Sequence, residues 1–297
     1  MKERILFIVN PISGHKDKRN FPSLVESLID KDKYDYSISW TEYGGHAKEL
    51  AHEAIATGYD VIVAVGGDGT INEIGTVMIG AEQTFAIVPC GSGNGLARHL
   101  HIPLKPAKVI TEVINKGVKS KIDTAIVNGV PFISIAGVGF DAIIADYFAK
   151  DPNRGLKTYV KLVTEKYFKF KPEQYHLIID DSTELDCEPL FITFANSNQF
   201  GNNAVVSPHA SITDGLLDVC IFKKPNILSI PVIAERLMTN RIDHSKVVDI
   251  HKAKKIKVLR NKEDIANIDG EAMMMDKDVV VEINPLSLNI LLPKINL

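Results

Sequence analysis

Three glycines, one aspartate and one threonine form a compact motif, GGDGT, at 66–70. The motif follows an apolar run at 61–65 and precedes a helical pattern, so it lies at a strand-to-helix turn. Glycine lets the backbone approach a phosphate closely, and the following helix offers free N–H groups and a positive dipole end. Thr70 can cap that helix, and Asp68 is suited to metal or water contacts. We therefore predict a phosphate-binding loop, with an ordinary capped turn as the alternative.

Two further segments have the same character. One, at 90–95, follows a predicted strand and reads CGSGNG, and the other, at 10–16, follows the first predicted strand and reads NPISGHK. Each by itself also fits an ordinary strand-to-helix turn. The carboxyl ends of parallel strands share one sheet edge, where open α/β sheets bind ligands. Three such loops would converge there, which indicates nucleotide binding.

The elements that position these loops alternate regularly through the first 120 residues. Apolar runs and alternating patterns predict strands at 5–9, 36–40, 61–65 and 85–88, and helical spacing predicts helices at 21–29, 47–55 and 71–79. Such alternation predicts an α/β domain with a mostly parallel sheet and helices on both faces.

Beyond Asp123 the pattern changes. Asn128-Gly129 between apolar runs at 125–127 and 130–135 predicts a hairpin, because this pair supplies the positive φ of a type I′ turn. Short strands are predicted at 175–179, 190–195, 216–222, 246–250, 254–259 and 279–283, with helices near 156–170 and 227–239 and a last strand at 287–292. The second half is therefore predicted to be a mainly antiparallel β-sandwich.

Composition narrows the class of protein. The chain has 297 residues, 45% hydrophobic and 24% charged, which excludes a disordered, collagen-like or disulfide-rich protein. A net charge of -3 predicts no nucleic-acid partner. Three widely spaced cysteines suit a reducing compartment. No apolar run approaches the roughly 18 residues of a membrane span, and the short N-terminal run is predicted to be a strand rather than a signal peptide. We expect a cytoplasmic protein.

Taken in order along the chain, the motifs resemble the diacylglycerol kinase catalytic family, which includes bacterial soluble lipid kinases and the sphingosine and ceramide kinases. GGDGT alone is shared with NAD kinases and phosphofructokinases, whereas the ordered set is much more specific. The resemblance covers nearly the whole chain. The set comprises the loop at 10–14, Thr41 with 45–47, 66–70 with Asn72-Glu73, 91–94, 139–142, 214–218 and 269–271.

The resemblance implies a kinase of two domains with ATP in the cleft between them. A nucleotide-binding α/β domain would comprise 1–122 plus 284–297, and a β-sandwich lipid or substrate domain would comprise 123–283. The ATP contacts implied are Asn10, Pro11, Ser13, Gly14, Thr41, Gly66, Gly67, Asp68, Gly69, Thr70, Asn72 and Ser92.

The resemblance also implies a Mg²⁺ site formed by the Asp214 side chain and backbone carbonyls near Ser211 and Leu216, which are hard oxygen ligands. It places the base that takes the lipid hydroxyl proton in the motif at 269–271. We favour Glu271, with Asp269 and Asp68 holding metal and water around it, and the choice between Asp269 and Glu271 stays open at this point. Lys16, Arg19 and Lys157 are the candidate cations for the phosphates.

Two departures from the family pattern concern the substrate. His15 stands where related bacterial enzymes often carry lysine, with Lys16 next to it, and Gly95 stands where many bacterial diacylglycerol kinases carry an acid. Gly95 is more typical of the sphingoid branch, so the lipid head group stays open. The segment Lys166–Lys171 interleaves aromatic residues with lysines, which fits either a bilayer surface or a helix end with core aromatics and exposed lysines.

These observations predict an ATP- and Mg²⁺-dependent lipid kinase of phospholipid biosynthesis, acting on a hydroxyl of diacylglycerol or a sphingoid-like lipid. Its partners would be a membrane lipid substrate and, transiently, the membrane surface, and the sequence leaves a homodimer open. The alternatives are an NAD kinase-like enzyme, which shares the glycine loop, and a catalytically silent regulator that binds nucleotide or lipid.

Overall fold

The computed structural model describes residues 2–14, 18–151 and 156–294. Backbone contacts divide the chain into two compact units. Unit 1 comprises Met1–Asp123 with Leu286–Leu297, and unit 2 comprises Thr124–Pro285. The expected fold class is confirmed, because unit 1 is an α/β layer structure with a parallel sheet and unit 2 is mainly antiparallel.

Unit 1 is built on a sheet in which the pairs of strands are parallel, in the order β2-β1-β3-β4-β16. Every residue of β3 and β4 is buried, as expected for strands covered on both faces. The strands are β1 (Glu3–Val9), β2 (Tyr34–Trp40), β3 (Val61–Gly66), β4 (Thr84–Pro89) and the last part of β16 (Asp278–Leu292).

The helices of unit 1 connect these strands in the right order for βαβ units. They are α1 (Phe21–Leu28), α2 (His46–Ala56), α3 (Asp68–Val77), α4 (Gly95–His99) and α5 (Pro106–Lys108), which continues as a π-helix over Val109–Ile114. Helix α3 begins three residues earlier than the apolar spacing predicted, so Asp68, Gly69 and Thr70 form its first turn. This difference places the motif at a helix N-terminus.

The end of the chain returns to unit 1 as an added strand. The buried carboxylate of Asp123 accepts the Leu286 N–H at 2.7 Å, at a point where Leu286 has a φ of 48°. The Gly80 N–H donates to the Ser287 carbonyl at 2.7 Å. Residues 279–283 and 287–292, predicted as two strands, therefore belong to one continuous strand, β16.

Unit 2 contains a six-stranded antiparallel sheet in the order β12-β11-β10-β7-β14-β15. In a second layer the strands follow the order β16-β13-β8-β9, starting from the first part of β16, and β5 pairs with β16 and with β6. Apolar side chains between these strands, including Phe132, Phe194 and Val258, form one buried cluster. The strands are β5 (Val118–Val127), β6 (Val130–Phe132), β7 (Ile135–Gly139), β8 (Tyr175–Ile179), β9 (Thr183–Cys187), β10 (Pro189–Ala195), β11 (Leu217–Lys223), β12 (Val248–Ala253), β13 (Lys255–Leu259), β14 (Asp264–Ile268) and β15 (Glu271–Met275).

In the described part of unit 2 the helices are α6 (Phe140–Lys150), α7 (Leu156–Tyr167) and α8 (Ile230–Met238), with short 3-10 turns at Ile227–Ser229 and Ile242–His244. The predicted hairpin is confirmed, because Asn128 and Gly129 have φ of 46° and 82° between the antiparallel strands β5 and β6. The prediction of one continuous strand over 130–135 was wrong, because β6 ends at Phe132 and β7 begins at Ile135.

Candidate active site

The loop after β3 and the loop after β4 touch backbone to backbone. A Cβ on Gly91 would lie 2.7 Å from the Gly67 Cα, and a Cβ on Gly66 would lie 2.4 Å from the Thr70 Cβ. No residue larger than glycine fits at either position without movement, because real Cβ contacts are longer than this. Here the glycines are required by close approach, so the turn is more specialised than an ordinary capped turn.

The loop after β1 joins the same group. The Asn10 Nδ2 donates to the Thr70 Oγ1 at 3.0 Å, and the Ile12 N–H donates to the Asn10 Oδ1 at 3.1 Å. Gly14 has a φ of 68°, and a Cβ there would lie 1.9 Å from the Cys90 carbonyl oxygen. The structure therefore confirms the expected convergence of three glycine-containing loops at the carboxyl edge of the parallel sheet.

Asp68 is the link between two of these loops. Its Oδ2 accepts the Asn94 N–H at 2.9 Å, and its Oδ1 accepts the Gly95 N–H at 2.8 Å. The carboxylate thus satisfies two of the free N–H groups at the start of α4. The sequence suggested metal or water contacts for Asp68, and the structure adds a role in holding the loop at 90–95 that the sequence did not indicate.

Asn94 is a residue of this loop that the sequence analysis did not assign to the site. It is buried in a left-handed conformation with a φ of 52°. Its Oδ1 accepts the Gly91 N–H at 3.0 Å, and its Nδ2 donates to the Gly91 carbonyl at 2.8 Å. The signal that could have revealed it is an asparagine among glycines, since asparagine tolerates this backbone region and bonds to nearby backbone.

The other predicted nucleotide contacts lie in or beside these loops. The Thr41 N–H donates to the Val9 carbonyl at 2.9 Å, so Thr41 lies next to the end of β1 and is buried. The Ser13 Oγ donates to the Asn10 carbonyl at 3.1 Å. Of the remaining predicted contacts, Pro11, Gly69 and Ser92 are exposed, and Asn72 lies in α3.

The cations differ from those predicted. Lys16 lies outside the described residues, as does the side chain of Lys157, and Arg19 is exposed. The sequence analysis did not select Lys18, which is only 6% exposed. Its Nζ donates to the carbonyl of Ser13 in the first loop. Burial lowers the pKa of Lys18, and the nearby Cys90 thiol opposes that shift.

In unit 2 the structure separates the two acids of the motif at 269–271. The carboxylate of Asp269 accepts the N–H groups of Ile133, Ser134 and Ile135 at 2.8–2.9 Å, at the break before β7. Together these three donors fix the carboxylate in place. Glu271, by contrast, begins β15 with an exposed side chain. Of the two acids, Asp269 is held by backbone donors and Glu271 has an exposed side chain.

A buried acid, Asp141, connects to the same turn through Asn267. The Asn267 Nδ2 lies 3.4 Å from the Asp141 Oδ2, and the Asn267 Oδ1 accepts the Gly270 N–H at 3.0 Å. Burial raises the pKa of Asp141 to about 7, against the weaker opposing effect of the Asn267 hydrogen bond. The sequence singled out this aspartate within the motif at 139–142, but assigned it no role.

The predicted magnesium ligands lie before β11, and the Asp214 carboxylate is already engaged. Its Oδ1 accepts the Leu216 N–H at 3.1 Å, and its Oδ2 lies 2.6 Å from the Lys252 Nζ. The Ser211 hydroxyl contacts Thr213 at 3.4 Å. Asp214 is the only carboxylate among the predicted magnesium ligands, and the Lys252 ammonium group already donates a hydrogen bond to it. A divalent ion does not fit at that carboxylate, so we derive no step through a metal there.

Across 2–14, 18–151 and 156–294, no three His, Cys, Asp or Glu side chains gather as a metal-binding group. Two of the three predicted magnesium ligands are backbone carbonyls, which do not belong to such a group of side chains. A helix that could cross a membrane is also absent from these described residues.

Comparisons with known proteins agree with this architecture. A family model described as the diacylglycerol kinase catalytic domain matches residues 4–127, and one described as the YegS C-terminal NAD kinase beta sandwich-like domain matches residues 134–292, more than half of the chain. Fold and site thus define a lipid kinase, a transferase, built from a catalytic α/β unit and a β-sandwich. The chain belongs to the family of the diacylglycerol kinases and YegS-like lipid kinases.

Among its relatives, a diacylglycerol kinase of Bacillus subtilis is 28% identical over 273 residues, covering 91% of this chain and 90% of the relative. A probable lipid kinase YegS-like protein of Pseudomonas aeruginosa is 31% identical over 192 residues, covering 63% and 62%. The crystal structure of a putative diacylglycerol kinase from Bacillus anthracis superposes with a TM-score of 0.79 at 22% identity, covering 98% of both chains, which shows the shared fold.

Proposed function

We propose that this lipid kinase transfers the γ-phosphoryl group of ATP to the free hydroxyl of diacylglycerol. The observation that carries the proposal is the meeting of three glycine-containing loops around the N-terminus of α3, at the carboxyl edge of the parallel sheet. Support for diacylglycerol as acceptor comes from the relatives, several of which are named diacylglycerol kinase.

The donor side follows from the backbone of unit 1. The first N–H groups of α3 lack carbonyl partners within the helix, and the helix dipole adds positive potential there. Glycine at 66, 67 and 91 lets the loops after β3 and β4 pack closely together beside this N-terminus. ATP would enter as its complex with Mg²⁺, the metal being part of the substrate and shielding the phosphate charge.

The acceptor side would need a base and an in-line approach. The lipid hydroxyl oxygen would form a bond to the γ-phosphorus while the bond between that phosphorus and the β–γ bridging oxygen breaks, which releases ADP. The hydroxyl proton would pass to the carboxylate of Glu271, which is exposed at the start of β15. Asp269 would hold the turn through its three backbone hydrogen bonds and keep Glu271 in position.

We propose further that the enzyme works in the cytoplasm, at the surface of a membrane, in phospholipid biosynthesis. The acceptor would be presented by the bilayer, so the protein would contact that surface transiently. A sphingoid-like lipid is the alternative acceptor, because Gly95 at the start of α4 stands where many bacterial diacylglycerol kinases carry an acid.

The test is transfer of labelled phosphate from ATP to lipid vesicles containing diacylglycerol, with the product identified by mass spectrometry. Glu271→Gln should lower kcat by on the order of 10²–10⁴-fold, because a positioned base contributes about that much. ATP affinity and the melting temperature should not change. Glu263→Gln is the matched control, since Glu263 is another exposed glutamate of unit 2.

The same assay decides between acceptors. Sphingosine in place of diacylglycerol tests the sphingoid alternative. NAD as acceptor tests an NAD kinase-like activity, because the matched sandwich domain is described as NAD kinase-like. Phosphorylation of NAD without any lipid product would contradict the proposal. ATP binding without transfer to any of these acceptors would favour a silent regulator, and full turnover by Glu271→Gln would remove the assigned base.

A further inference from the structure

The segment before β11 contacts a lysine of another strand in the place where the family resemblance implies a divalent cation. Lys252 lies on β12, and the antiparallel register sets it directly opposite Asp218 on β11. Its Nζ is 2.6 Å from the Asp214 Oδ2 and 3.5 Å from the Asp218 Oδ1. One ammonium group therefore lies between two carboxylates of the motif at 214–218.

Asp218 makes this lysine necessary. The Asp218 side chain is only 3% exposed, and its second oxygen accepts the hydroxyl of Ser207. A buried carboxylate needs a nearby positive charge or several hydrogen bonds, because burial alone disfavours the ionised form. Lys252 is the cation that the sheet register places beside it. Moving this lysine away would leave a buried carboxylate at Asp218 without a positive charge nearby.

A divalent ion on Asp214 would be too close to this ammonium group. Magnesium binds carboxylate oxygen at about 2.0–2.1 Å, so an ion on the Asp214 Oδ2 would lie less than about 5 Å from the Lys252 Nζ. Two cations at that separation repel each other, and they would compete for the same oxygen. The other oxygen of Asp214 already accepts the Leu216 N–H, which shapes the loop without any ion.

We propose that the ammonium group of Lys252 occupies the cation position of the Asp214 loop, in place of a divalent ion. The loop keeps its conformation through Asp214, Asp218 and Lys252, and its fold does not depend on magnesium. Because ATP carries its own magnesium, the loop is tested in the protein without nucleotide.

The first test compares melting temperatures in EDTA and in millimolar MgCl₂. For the wild-type protein the two values should agree. Lys252→Met keeps the length of the side chain and removes its charge, so its melting temperature should fall by several degrees in EDTA and recover in MgCl₂. The double variant Lys252→Met with Asp214→Asn should not recover. Lys252→Arg is the control that keeps the charge and should resemble the wild type.

The second test keeps the proposal decidable if Lys252→Met does not fold. Binding of Mn²⁺, followed by electron paramagnetic resonance of the free ion, should be identical for the wild type and Asp214→Asn. The proposal is overturned if the wild type binds Mn²⁺ or is stabilised by Mg²⁺ and Asp214→Asn abolishes that effect. It is also overturned if a folded Lys252→Met protein gains no stability from Mg²⁺.

Discussion

At the scale of single residues, two acids selected for their chemistry prove to be fixed by backbone hydrogen bonds. Asp68 accepts two N–H groups of the loop at 94–95, and Asp269 accepts three at 133–135. Residue type and spacing identified both positions as special but could not distinguish a carboxylate that shapes a loop from one that takes part in a reaction. That distinction depends on donors that lie 26–27 and 134–136 residues away in the chain.

The glycine contacts give a prediction at this scale. Gly91→Ala places a methyl group 2.7 Å from the Gly67 Cα and 3.1 Å from the Asn94 Oδ1, so the two loops must separate. We expect a loss of about 1–3 kcal/mol in the free energy of unfolding, measured in urea, together with weaker ATP binding. Gly44→Ala is the control, because nothing lies within 4 Å of the added methyl group, and it should change stability by less than about 1 kcal/mol. Unchanged stability and ATP affinity in Gly91→Ala would contradict the close approach.

At the scale of elements, helix α6 shows what a periodic pattern can leave out. The sequence analysis assigned no helix to Phe140–Lys150, although Phe140 and Ile144 pack with Leu162 and Tyr167 of α7. The first turn of α6 holds Asp141 in a fully buried position, where its Oδ1 has no hydrogen-bond partner and a Cβ on Gly137 would lie 2.5 Å from its Oδ2. Helix α6 therefore carries a buried acid against the strands β7 and β14.

Burial raises the pKa of Asp141 to about 7, from an ordinary value of 3.8, so the protein should lose stability as pH rises between those values. In that range the folded state keeps a proton that the unfolded state has released, and the favourable contribution present below pH 3.8 is lost as pH approaches 7. Between pH 5 and pH 8 the loss would be on the order of 2–3 kcal/mol. Urea unfolding at pH 5 and pH 8 should show it.

Asp141→Asn should remove most of this pH dependence, because the amide does not ionise. Asp146→Asn on the same helix is the matched control, since Asp146 pairs with Lys150 near the surface. Equal slopes of stability against pH in the wild type and Asp141→Asn would contradict the role given to burial.

At the scale of the whole molecule, a lipid acceptor raises the question of how the enzyme reaches the bilayer. The segment Lys166–Lys171 divides its aromatic residues. Tyr167 and Phe170 pack beside Phe140, as expected for core aromatics, whereas Phe168 is 62% exposed. The Lys224 Nζ donates to the Phe170 carbonyl at 2.6 Å, and the exposed Ile227-Leu228 tip follows Lys224 by three residues in the chain.

This surface combines exposed apolar side chains with lysines, which is the composition expected at an anionic bilayer. We predict that the double variant Phe168→Ser with Leu228→Ser binds phosphatidylglycerol vesicles at least about tenfold more weakly in a sedimentation assay, because the side chains that would enter the interface are gone. Val118→Ser removes an exposed apolar residue of unit 1 and should not change binding. Binding should weaken in high salt. Equal binding by wild type and double variant would place the membrane contact elsewhere.

Local sequence determined much of this protein. Buried parallel strands such as β3 and β4, the Asn128-Gly129 hairpin and the glycine loops depend on neighbours within a few residues, so hydrophobic periodicity and turn chemistry predicted them. Strands β9, β14 and β15 were not predicted, because they are short. In addition, β9 and β15 are largely exposed, so they show little apolar alternation.

Only the tertiary structure decided what the charged residues do. The partners of Asp68 and Asp269 are backbone groups of other loops, and the partner of Asp218 is a lysine delivered by strand register 34 residues later, at position 252. Burial, register and close backbone approach are properties of elements that meet in space. Local patterns therefore predicted which residues would matter, whereas long-range packing decided which acid anchors a loop, which one stays exposed and which cation lies beside it.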